Sequence, residues 1–425
     1  MKEILAVNGG HGVAIDDWPQ WPHASEQTVK SIVDTVHSGR WALSGPSRGK
    51  PAFEQQFAER FAAYNGSSYC VPTANGTSAL VIALESLGIG AGDEVIIPGL
   101  TWVASATSVL NVNAVPVLVD VDPGTLCIDP DAIEAAITSR TRAISVVHLY
   151  CSMADMDRIM SIARKFGLSV VEDCAQAHGA MWKEQRAGTL GNIGTFSMQQ
   201  TKLLTSGEGG AAITSDKGLY ELLFQLRADG RQRQDRPVEV GQMELINTSS
   251  VTGNNYCMSE FGASVLIEQL DQLDAQNLVR AKNAELLTGL LGEVSGIATV
   301  SAPEQVTSKT YYHYAVRIDR NEFAGRSAAG IATALSAELR YPVSQCYAPL
   351  TDSILYQPHT KRRYNLSDEH RRRIDPRQYH LPEAERAHDE VVTLHHPILL
   401  SDPSKMELIV EAFVKLKEHA DDIPV

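Results

Sequence analysis

Four short clusters in the first half of the chain carry groups that could bind a phosphorylated ring. The first is NGTS at 75–78, at the start of a predicted helix, where exposed backbone N–H groups suit a phosphate. The same residue types are also ordinary helix caps, so this cluster is ambiguous by itself. The second is Thr101-Trp102 after an apolar strand, where the tryptophan could stack on a flat ring or belong to the core.

Glu172 and Asp173 form the third cluster, at the end of an apolar strand-like run. An acid in this position makes sense if it meets a buried cation, although a helix cap or a surface loop would also explain it. The fourth cluster places Lys202 between polar residues and the glycine-rich turn at 207–210. A lysine amine in a partly desolvated site loses basicity and becomes a nucleophile toward carbonyls, although most lysines have no such role.

Taken together, the four clusters indicate one ligand, pyridoxal 5′-phosphate. This cofactor needs a lysine for its Schiff base and an acid opposite its pyridine nitrogen. A carboxylate close to that nitrogen favours the protonated ring, and the protonated ring is the electron sink for a carbanion. The sequence therefore predicts a site for this cofactor.

The elements that must position these clusters alternate between strand and helix from about residue 53 to residue 215. Short apolar runs predict strands at 94–98, 115–122, 143–150 and 168–175, and helices are predicted at 77–87, 102–112, 130–138 and 154–166. Apolar strands that alternate with helices predict an α/β fold with a mostly parallel sheet covered on both faces. Ligands of such sheets bind at the carboxyl ends of the strands.

The segments on either side of this region have different patterns of secondary structure. An amphipathic helix is predicted at 24–39, and one or two long helices at 258–292. From about residue 295 an α+β pattern marks a second, smaller domain, with a strand at 311–318, helices at 327–338 and 404–418, and a polar segment at 351–385. We therefore expect an N-terminal segment, 1–50, that packs on the small domain, a large cofactor-binding domain, 51–293, and a small C-terminal domain, 294–425.

The composition argues against several classes of function. The chain has 37 basic and 51 acidic residues and a net charge of −14, so non-specific binding to nucleic acid is not expected. No stretch approaches the eighteen or so apolar residues of a membrane span, and the N-terminal residues lack the apolar core of a signal peptide. The cysteines form no C-x-x-C pair, and Glu390, His395 and His396 lack metal-ligand spacing. We therefore expect no metal site, and we expect the cysteines to be reduced thiols in a cytoplasm.

Several other residues allow two interpretations. His148, Tyr150, His313, Tyr341 and Tyr347 could face a polar substrate or belong to the core. The locally basic stretch 361–373 is interpreted as a solvated loop or helix face in preference to an anion site.

Motifs across the chain resemble the DegT/DnrJ/EryC1/StrS aminotransferases, a branch of the fold type I enzymes that use pyridoxal phosphate. The similarity covers roughly residues 15–420 and rests on NGTSAL (75–80), EVIIPGLTWVASA (94–106), VEDCAQAHGA (171–180), GTFSMQQTKLLTSGEGGA (194–211) and GNNYCMSE (253–260). It implies that Lys202 is the Schiff-base lysine and that Asp173 contacts the pyridine nitrogen. The other implied cofactor contacts are Gly76, Thr77, Trp102, Glu172, Gln176 and Ser197, with Asn255 reaching the phosphate in the partner subunit.

The residues around the lysine also resemble one branch of that family. The sequence SMQQTK at 197–202 replaces the S-F-H-x-x-K of many sugar-nucleotide members, and it resembles the aminocyclitol branch together with 148–156 and 346–358. That branch moves the amino group of L-glutamine to a cyclitol ketone such as 2-deoxy-scyllo-inosose, in aminoglycoside biosynthesis. The resemblance implies a homodimer with shared active sites and a ping-pong reaction through pyridoxamine 5′-phosphate. The alternatives are a keto-sugar nucleotide or valienone-type C7 cyclitol acceptor, or a protein of this fold that binds the cofactor without transamination.

Overall fold

The predicted alternation of strands and helices is present in the computed structural model, which describes residues 4–14, 17–234, 238–248, 250–362 and 367–424. The helices are α1 Glu26–Ser38, α2 Phe53–Asn65, α3 Gly76–Ser86, α4 Ala104–Asn111, α5 Pro130–Ala136, α6 Met156–Phe166, α7 Lys217–Arg227, α8 Glu260–Leu291, α9 Ala328–Leu339, α10 Asp368–Arg373, α11 Pro382–Glu390 and α12 Lys405–Glu418. The strands are β1 Tyr69–Thr73, β2 Glu94–Pro98, β3 Val115–Val119, β4 Thr141–Val147, β5 Ser169–Asp173, β6 Met181–Trp182, β7 Gln185–Arg186, β8 Ile193–Ser197, β9 Gly210–Thr214, β10 Arg231–Arg233, β11 Leu245–Asn247, β12 Ile297–Thr299, β13 Val306–Ser308, β14 His313–Ile318, β15 Val343–Gln345 and β16 Val391–His395.

A seven-stranded sheet organises the larger part of the chain, in the order β1-β9-β8-β5-β4-β2-β3. The strands β3, β2, β4, β5 and β8 are parallel, whereas β9 runs antiparallel to both of its neighbours. The prediction of an α/β fold with a mostly parallel sheet is therefore confirmed. The sequence analysis missed β1, β8 and β9, because these short strands contain proline or glycine and lack a long β-branched run.

The topology brings the four clusters to one edge of this sheet. β1 ends two residues before the start of the cluster at 75–78, and β5 ends on Asp173. β8 ends on Ser197, which is paired with Gly210, the first residue of the oppositely directed β9. Strands in a parallel sheet place their carboxyl ends on the same side, so these segments meet there.

A smaller antiparallel sheet, β12-β14-β16-β15, lies near the C-terminus with α9 and α12, as the α+β pattern predicted. Its hydrophobic core is separate from that of the seven-stranded sheet. The predicted region 258–292 is one continuous helix, α8. Leu266 of α8 belongs to the larger core and Leu287 to the smaller one, so this helix joins the two.

The segment between β15 and α11 packs on the larger core, although it lies within the range assigned to the small domain. Leu350, Tyr356, Ile374 and Leu381 are all buried in that core. Residues 363–366, within the predicted basic stretch, lie outside the described residues. In the described part of the chain, no helix combines the length and the apolar character needed to span a membrane.

The first fifty residues contact both cores. Leu5 and Trp18 are buried in the smaller core, and the indole of Trp18 donates to the Leu339 carbonyl at 2.6 Å. From residue 23 onward the chain lies against the larger part, where Gln269 of α8 donates to the His23 carbonyl and Arg40 pairs with Glu244.

Helix α1 forms where the sequence predicts it, but it buries its polar side. Thr28, Ser31 and Thr35 face the protein, and Ser31 donates to Glu268 of α8. The apolar positions that suggested an amphipathic helix remain exposed in the single chain: Val29, Ile32, Val33 and Val36. Exposed apolar patches are typical of surfaces that contact another molecule.

Candidate active site

A cavity of about 790 Å³ opens at the carboxyl edge of the seven-stranded sheet. This volume lies within the usual range for sites that bind small molecules and cofactors. Residues from all four predicted clusters line it, including Gly76, Thr77, Trp102, Asp173, Gln176, Ser197 and Lys202. Glu172 and Asn255 are not among the lining residues.

The N-terminus of α3 forms one wall of the cavity. Asn75 caps the helix, and its Oδ1 accepts from Ser78 N and Ser78 Oγ, both at 2.8 Å. The first N–H groups of a helix, here those of Gly76 and Thr77, have no acceptor within the helix. A Cβ on Gly76 would lie only 2.7 Å from Cβ of Ser197, so glycine allows the helix and the serine hydroxyl to approach closely. This cradle fits a phosphate group.

Asp173 is a buried acid whose surroundings suit a cation in the cavity. Its Oδ1 accepts from Ala175 N at 3.0 Å, and its Oδ2 accepts from Ser105 Oγ at 3.3 Å. Ser105 is held in turn by Thr101 at 3.0 Å. Burial raises the pKa of Asp173, while the positive charge of Lys202 acts in the opposite direction. A protonated ring nitrogen opposite the carboxylate would favour the anion, so this acid fits the pyridoxal ring.

Lys202 enters the cavity from the loop between β8 and β9. Its amine lies 4.0 Å from the ring centroid of Tyr312, at the distance of a cation–π contact. The backbone N–H of Lys202 donates to the Gln199 carbonyl at 2.8 Å and closes a tight turn. The lysine therefore sits on an aromatic face that belongs to a residue 110 positions later in the chain, immediately before β14.

Gln176 is oriented by a small network of tyrosines. Its Oε1 accepts from the Tyr150 backbone N–H at 2.8 Å, and its Nε2 lies 3.5 Å from the hydroxyl of Tyr347. The Tyr347 N–H donates to the Tyr150 hydroxyl at 3.0 Å. Because the backbone donor occupies the amide oxygen, the NH₂ group of Gln176 is directed toward Tyr347. Burial raises the pKa of Tyr347, which keeps its hydroxyl protonated.

The structure shows whether most of the residues with two interpretations line the cavity or belong to the core. Tyr347 lines the cavity, as do Tyr312 and Tyr256, which the sequence analysis did not select. His148 and Tyr150 are fully buried behind the cavity wall, and Tyr341 packs against the smaller core.

Trp102 forms the open side of the cavity. About half of its surface, 51%, is exposed in the single chain. Its ring centroid lies 6.1 Å from that of Tyr347, at an interplanar angle of 53°. Either a bound ring or a neighbouring chain could cover its exposed face.

Glu172 lies behind the cavity, where it supports a loop. Its carboxylate accepts from the backbone N–H groups of Gly188, Leu190 and Gly191 at 2.6–2.9 Å and contacts His148 at 3.1 Å. His148 and Cys174 could in principle share a metal with it, since their ligand atoms lie within 4.8 Å. The carboxylate already has four partners, so we interpret it as an anchor for the loop at 188–191, and the predicted contact of Glu172 with the cofactor has no counterpart in this geometry.

Asn255 is exposed and close to the cavity without lining it. It directly precedes Tyr256, which does line the cavity, and its Oδ1 accepts from Cys257 N at 3.3 Å. The Tyr256 carbonyl accepts from Ala74 N, just before the α3 cradle, at 2.7 Å. The side chain of Asn255 is therefore available on the surface of its own chain.

Ser105 is a further site residue that sequence analysis did not select. It lies four residues after Thr101, at the start of α4, so both hydroxyls fall on one side of the chain. The spacing of two hydroxyl residues one helical turn apart, beyond a strand end, was the available signal.

Comparisons with known proteins point to one family. The family model described as the DegT/DnrJ/EryC1/StrS aminotransferase family matches residues 22–412. The chain is 50% identical over 423 residues to the L-glutamine:2-deoxy-scyllo-inosose aminotransferase of Streptomyces fradiae, and 49% identical over 423 residues to the protein of that name from Streptoalloteichus tenebrarius. Both alignments cover 100% of each chain. The crystal structure of 3-amino-5-hydroxybenzoic acid synthase, 30% identical, matches with a TM-score of 0.80 over 96% of this chain and 100% of that one.

Proposed function

The chain belongs to the DegT/DnrJ/EryC1/StrS aminotransferase family, and from this premise we propose that it transfers the amino group of L-glutamine to a cyclitol ketone. The proposed acceptor is 2-deoxy-scyllo-inosose or a close relative, the cofactor is pyridoxal 5′-phosphate, and the pathway is aminoglycoside biosynthesis. The observation that carries the proposal is that one cavity is lined by an amine, a buried acid and a helix N-terminus, namely Lys202, Asp173 and the first turn of α3.

Each part of the cavity matches one part of the cofactor. The N–H groups of Gly76 and Thr77 and the hydroxyl of Ser197 would hold the phosphate. Asp173 would lie opposite the ring nitrogen and favour its protonated form. Gln176 would contact the ring hydroxyl side, and Trp102 would stack on the ring.

When bound, the cofactor supplies a carbonyl that carries the amino group between substrates and a ring that takes up negative charge from the reacting carbon. Lys202 would hold the cofactor between turnovers. When its amine is free, Nζ of Lys202 would accept the proton from the α-carbon of glutamine as a general base and would later return it as a general acid. Asp173, when ionised, would stabilise the proton on the ring nitrogen.

The charges of the cavity support an uncharged acceptor. Among the described residues, the charged side chains that line it are Asp173, Glu208 and Lys202, and no arginine joins them. A nucleotide diphosphate would bring at least two negative charges, whereas Lys202, the cation among these lining residues, is the proposed cofactor lysine. A polyol ketone needs only hydrogen bonds, which the hydroxyls of Tyr312 and Tyr347 can supply. The same argument favours glutamine over glutamate, whose second carboxylate would also lack a partner.

The proposal includes a homodimer with shared active sites. The apolar stripe of α1, exposed in the single chain, is a surface that a second copy would cover. Asn255 is exposed beside the cavity and does not enter it, which suits a residue that completes the cavity of a partner. A symmetric dimer would then contain two reciprocal shared sites.

Initial-rate assays with matched donors and acceptors test the proposed reaction. Glutamine and glutamate are compared as donors, and the acceptors are 2-deoxy-scyllo-inosose, scyllo-inosose, a valienone-type C7 cyclitol and a keto-sugar nucleotide. We expect the highest kcat/KM with glutamine and one of the two inososes. A higher value with glutamate or with the sugar nucleotide would contradict the proposal.

A further inference from the structure

The peptide that precedes Lys202 is held by side chains from outside its own loop. The Thr201 carbonyl accepts from His395 Nε2 at 2.8 Å and from His396 Nε2 at 3.1 Å. His395 is the last residue of β16 and His396 begins the following turn, so both belong to the smaller sheet and its surroundings. The preceding carbonyl, that of Gln200, accepts from the Trp21 indole at 3.1 Å.

The protonation of the two histidines follows from this geometry. A carbonyl oxygen only accepts hydrogen bonds, so each ring must carry its proton on Nε2. Burial lowers the pKa of His395 to about 4 and that of His396 well below its usual value. The buried guanidinium of Arg280 adds to both effects, and its described hydrogen bonds run to the neutral Asn277 and Gln276. Each neutral ring therefore has one N–H group, and both N–H groups are committed to Thr201.

Tyr312 links the same histidines to the lysine side chain. Its hydroxyl lies 2.9 Å from Oγ1 of Thr201, and its ring lies beneath the amine of Lys202. The ring also packs edge-on against His395, with 5.6 Å between the centroids. Residues from the C-terminal part of the chain thus contact Lys202 in two ways. His395 and His396 bind the peptide before it, and the ring of Tyr312 contacts its amine.

We propose that His395 and His396 are positioning residues for Lys202. By donating to the Thr201 carbonyl they fix the peptide before the lysine, and this sets the direction from which its amine enters the cavity. They also tie that amine to the smaller sheet, so the two parts of the chain must be correctly placed before the lysine can react. The inference rests on the proposed role of Lys202 as the cofactor lysine.

A pair of substitutions at each histidine separates hydrogen bonding from packing. In His395→Gln and His396→Gln the amide nitrogen can take the place of Nε2, whereas His395→Leu and His396→Leu remove the donor and keep an apolar side chain. The apoprotein is mixed with pyridoxal phosphate, and the link to Lys202 is trapped with borohydride over time and located by peptide mass spectrometry. Affinity for pyridoxamine phosphate, which cannot link to a lysine, reports the cradle separately.

We expect each leucine variant to link about tenfold more slowly, the effect of losing one hydrogen bond in the reacting geometry, with little change in pyridoxamine phosphate affinity. The glutamine variants should recover most of the rate. Equal linking rates in the leucine variants and the wild type would overturn the inference, and so would an equal loss of linking rate and affinity. If a leucine variant does not fold, the asparagine variant replaces it, since its shorter amide cannot reach the carbonyl.

The same experiment distinguishes this inference from the proposed function. If the wild-type protein forms no trapped link at Lys202, the proposed cofactor lysine is wrong. If the wild type links at Lys202 and the leucine variants link equally fast, the proposed function stands and the positioning role does not.

Discussion

At the scale of single residues, the cavity is lined by one amine, that of Lys202, and one buried acid, Asp173, together with neutral polar groups. Asp173 is costly to ionise because burial raises its pKa, and its hydroxyl and backbone partners offset that cost only in part. Lys202 lies on an aromatic ring and lines the same cavity. A cationic ring beside Asp173 would stabilise its ionised form, and this leads to the first two expectations.

Replacing the amine should remove the covalent link and leave the cradle intact. In Lys202→Ala we expect pyridoxamine phosphate to bind with near-normal affinity, because α3 and Ser197 are unchanged, while no borohydride-stable link to the chain forms and turnover is lost. Lys217→Ala, at an exposed lysine that begins α7, is the matched control and should behave as wild type. Turnover close to wild type in Lys202→Ala would refute the assignment.

Replacing the acid should slow the reaction more than it weakens binding. A neutral amide in Asp173→Asn cannot hold a proton on the ring nitrogen. A loss of two pKa units of stabilisation corresponds to about 2.7 kcal/mol, or about a hundredfold in kcat. The control is Asp131→Asn, at an exposed acid of α5, which should leave kcat unchanged. A kcat for Asp173→Asn within a few fold of wild type is the result that would exclude this role.

At the scale of elements, the site depends on close approach between the start of α3 and the end of β8. Helix α3 begins three residues after β1, and its first N–H groups face the hydroxyl of Ser197 across Gly76. The acid, the hydroxyl and the cradle therefore lie at or just after the ends of β5, β8 and β1, which belong to one sheet and lie at the same edge of it. This explains why a cavity assembled from distant segments of the sequence can be rigid.

Adding one methyl group at this contact should damage the cradle. In Gly76→Ala the new Cβ would meet Ser197 Cβ at 2.7 Å and its Cα at 3.1 Å, so the helix or the strand must shift. We expect at least tenfold weaker binding of pyridoxamine phosphate and about 1–3 kcal/mol lower stability to unfolding. Gly289→Ala is the control, because nothing lies within 4 Å of its Cβ and alanine favours the helix. Calorimetric titration and thermal unfolding measure both effects, and unchanged affinity in Gly76→Ala would contradict this account.

At the scale of the whole molecule, the fold is that of the fold type I enzymes that use pyridoxal phosphate, as the sequence predicted. Two cores share helix α8, and the smaller sheet contacts the lysine loop through its histidines. The apolar stripe on α1 and the side chain of Asn255 are both exposed in the single chain. Both suit a second copy of the chain.

Complementation between two inactive variants tests whether the sites are shared. Lys202→Ala and Asn255→Ala chains are unfolded together, refolded in equal amounts and assayed at limiting cofactor. In a mixed dimer with shared sites, one site loses both residues and the other keeps both, so about a quarter of all sites should be intact. If both residues served the same chain, no intact site could form, and activity would stay at the average of the parents even where native mass spectrometry verifies mixed dimers.

Local sequence was enough to predict the chemistry and the central elements. Strands β2 to β5 are apolar runs with β-branched residues, and the intervening helices have clear apolar content, so pattern alone revealed the α/β order. The prediction of the cofactor followed from residue types that only a few ligands require together, an amine, an acid and a helix-cap cluster. The family resemblance added predictions of the individual contacts. The predicted contact of Glu172 has no counterpart in the geometry, because adjacent strand residues point to opposite sides of the sheet and Glu172 is turned away from the cavity.

Only the tertiary structure could decide which residues surround the lysine. Tyr312, His395 and His396 lie more than a hundred positions from Lys202, and no local pattern distinguishes them from ordinary core residues. The sequence also could not determine which face of α1 is buried in the chain. Periodicity identifies an apolar face but not the surface that covers it. Sequence specifies local conformation and the types of groups available. The meeting of distant groups depends on how sheet, helices and chains pack, and that packing is decided by the free energy of the whole assembly.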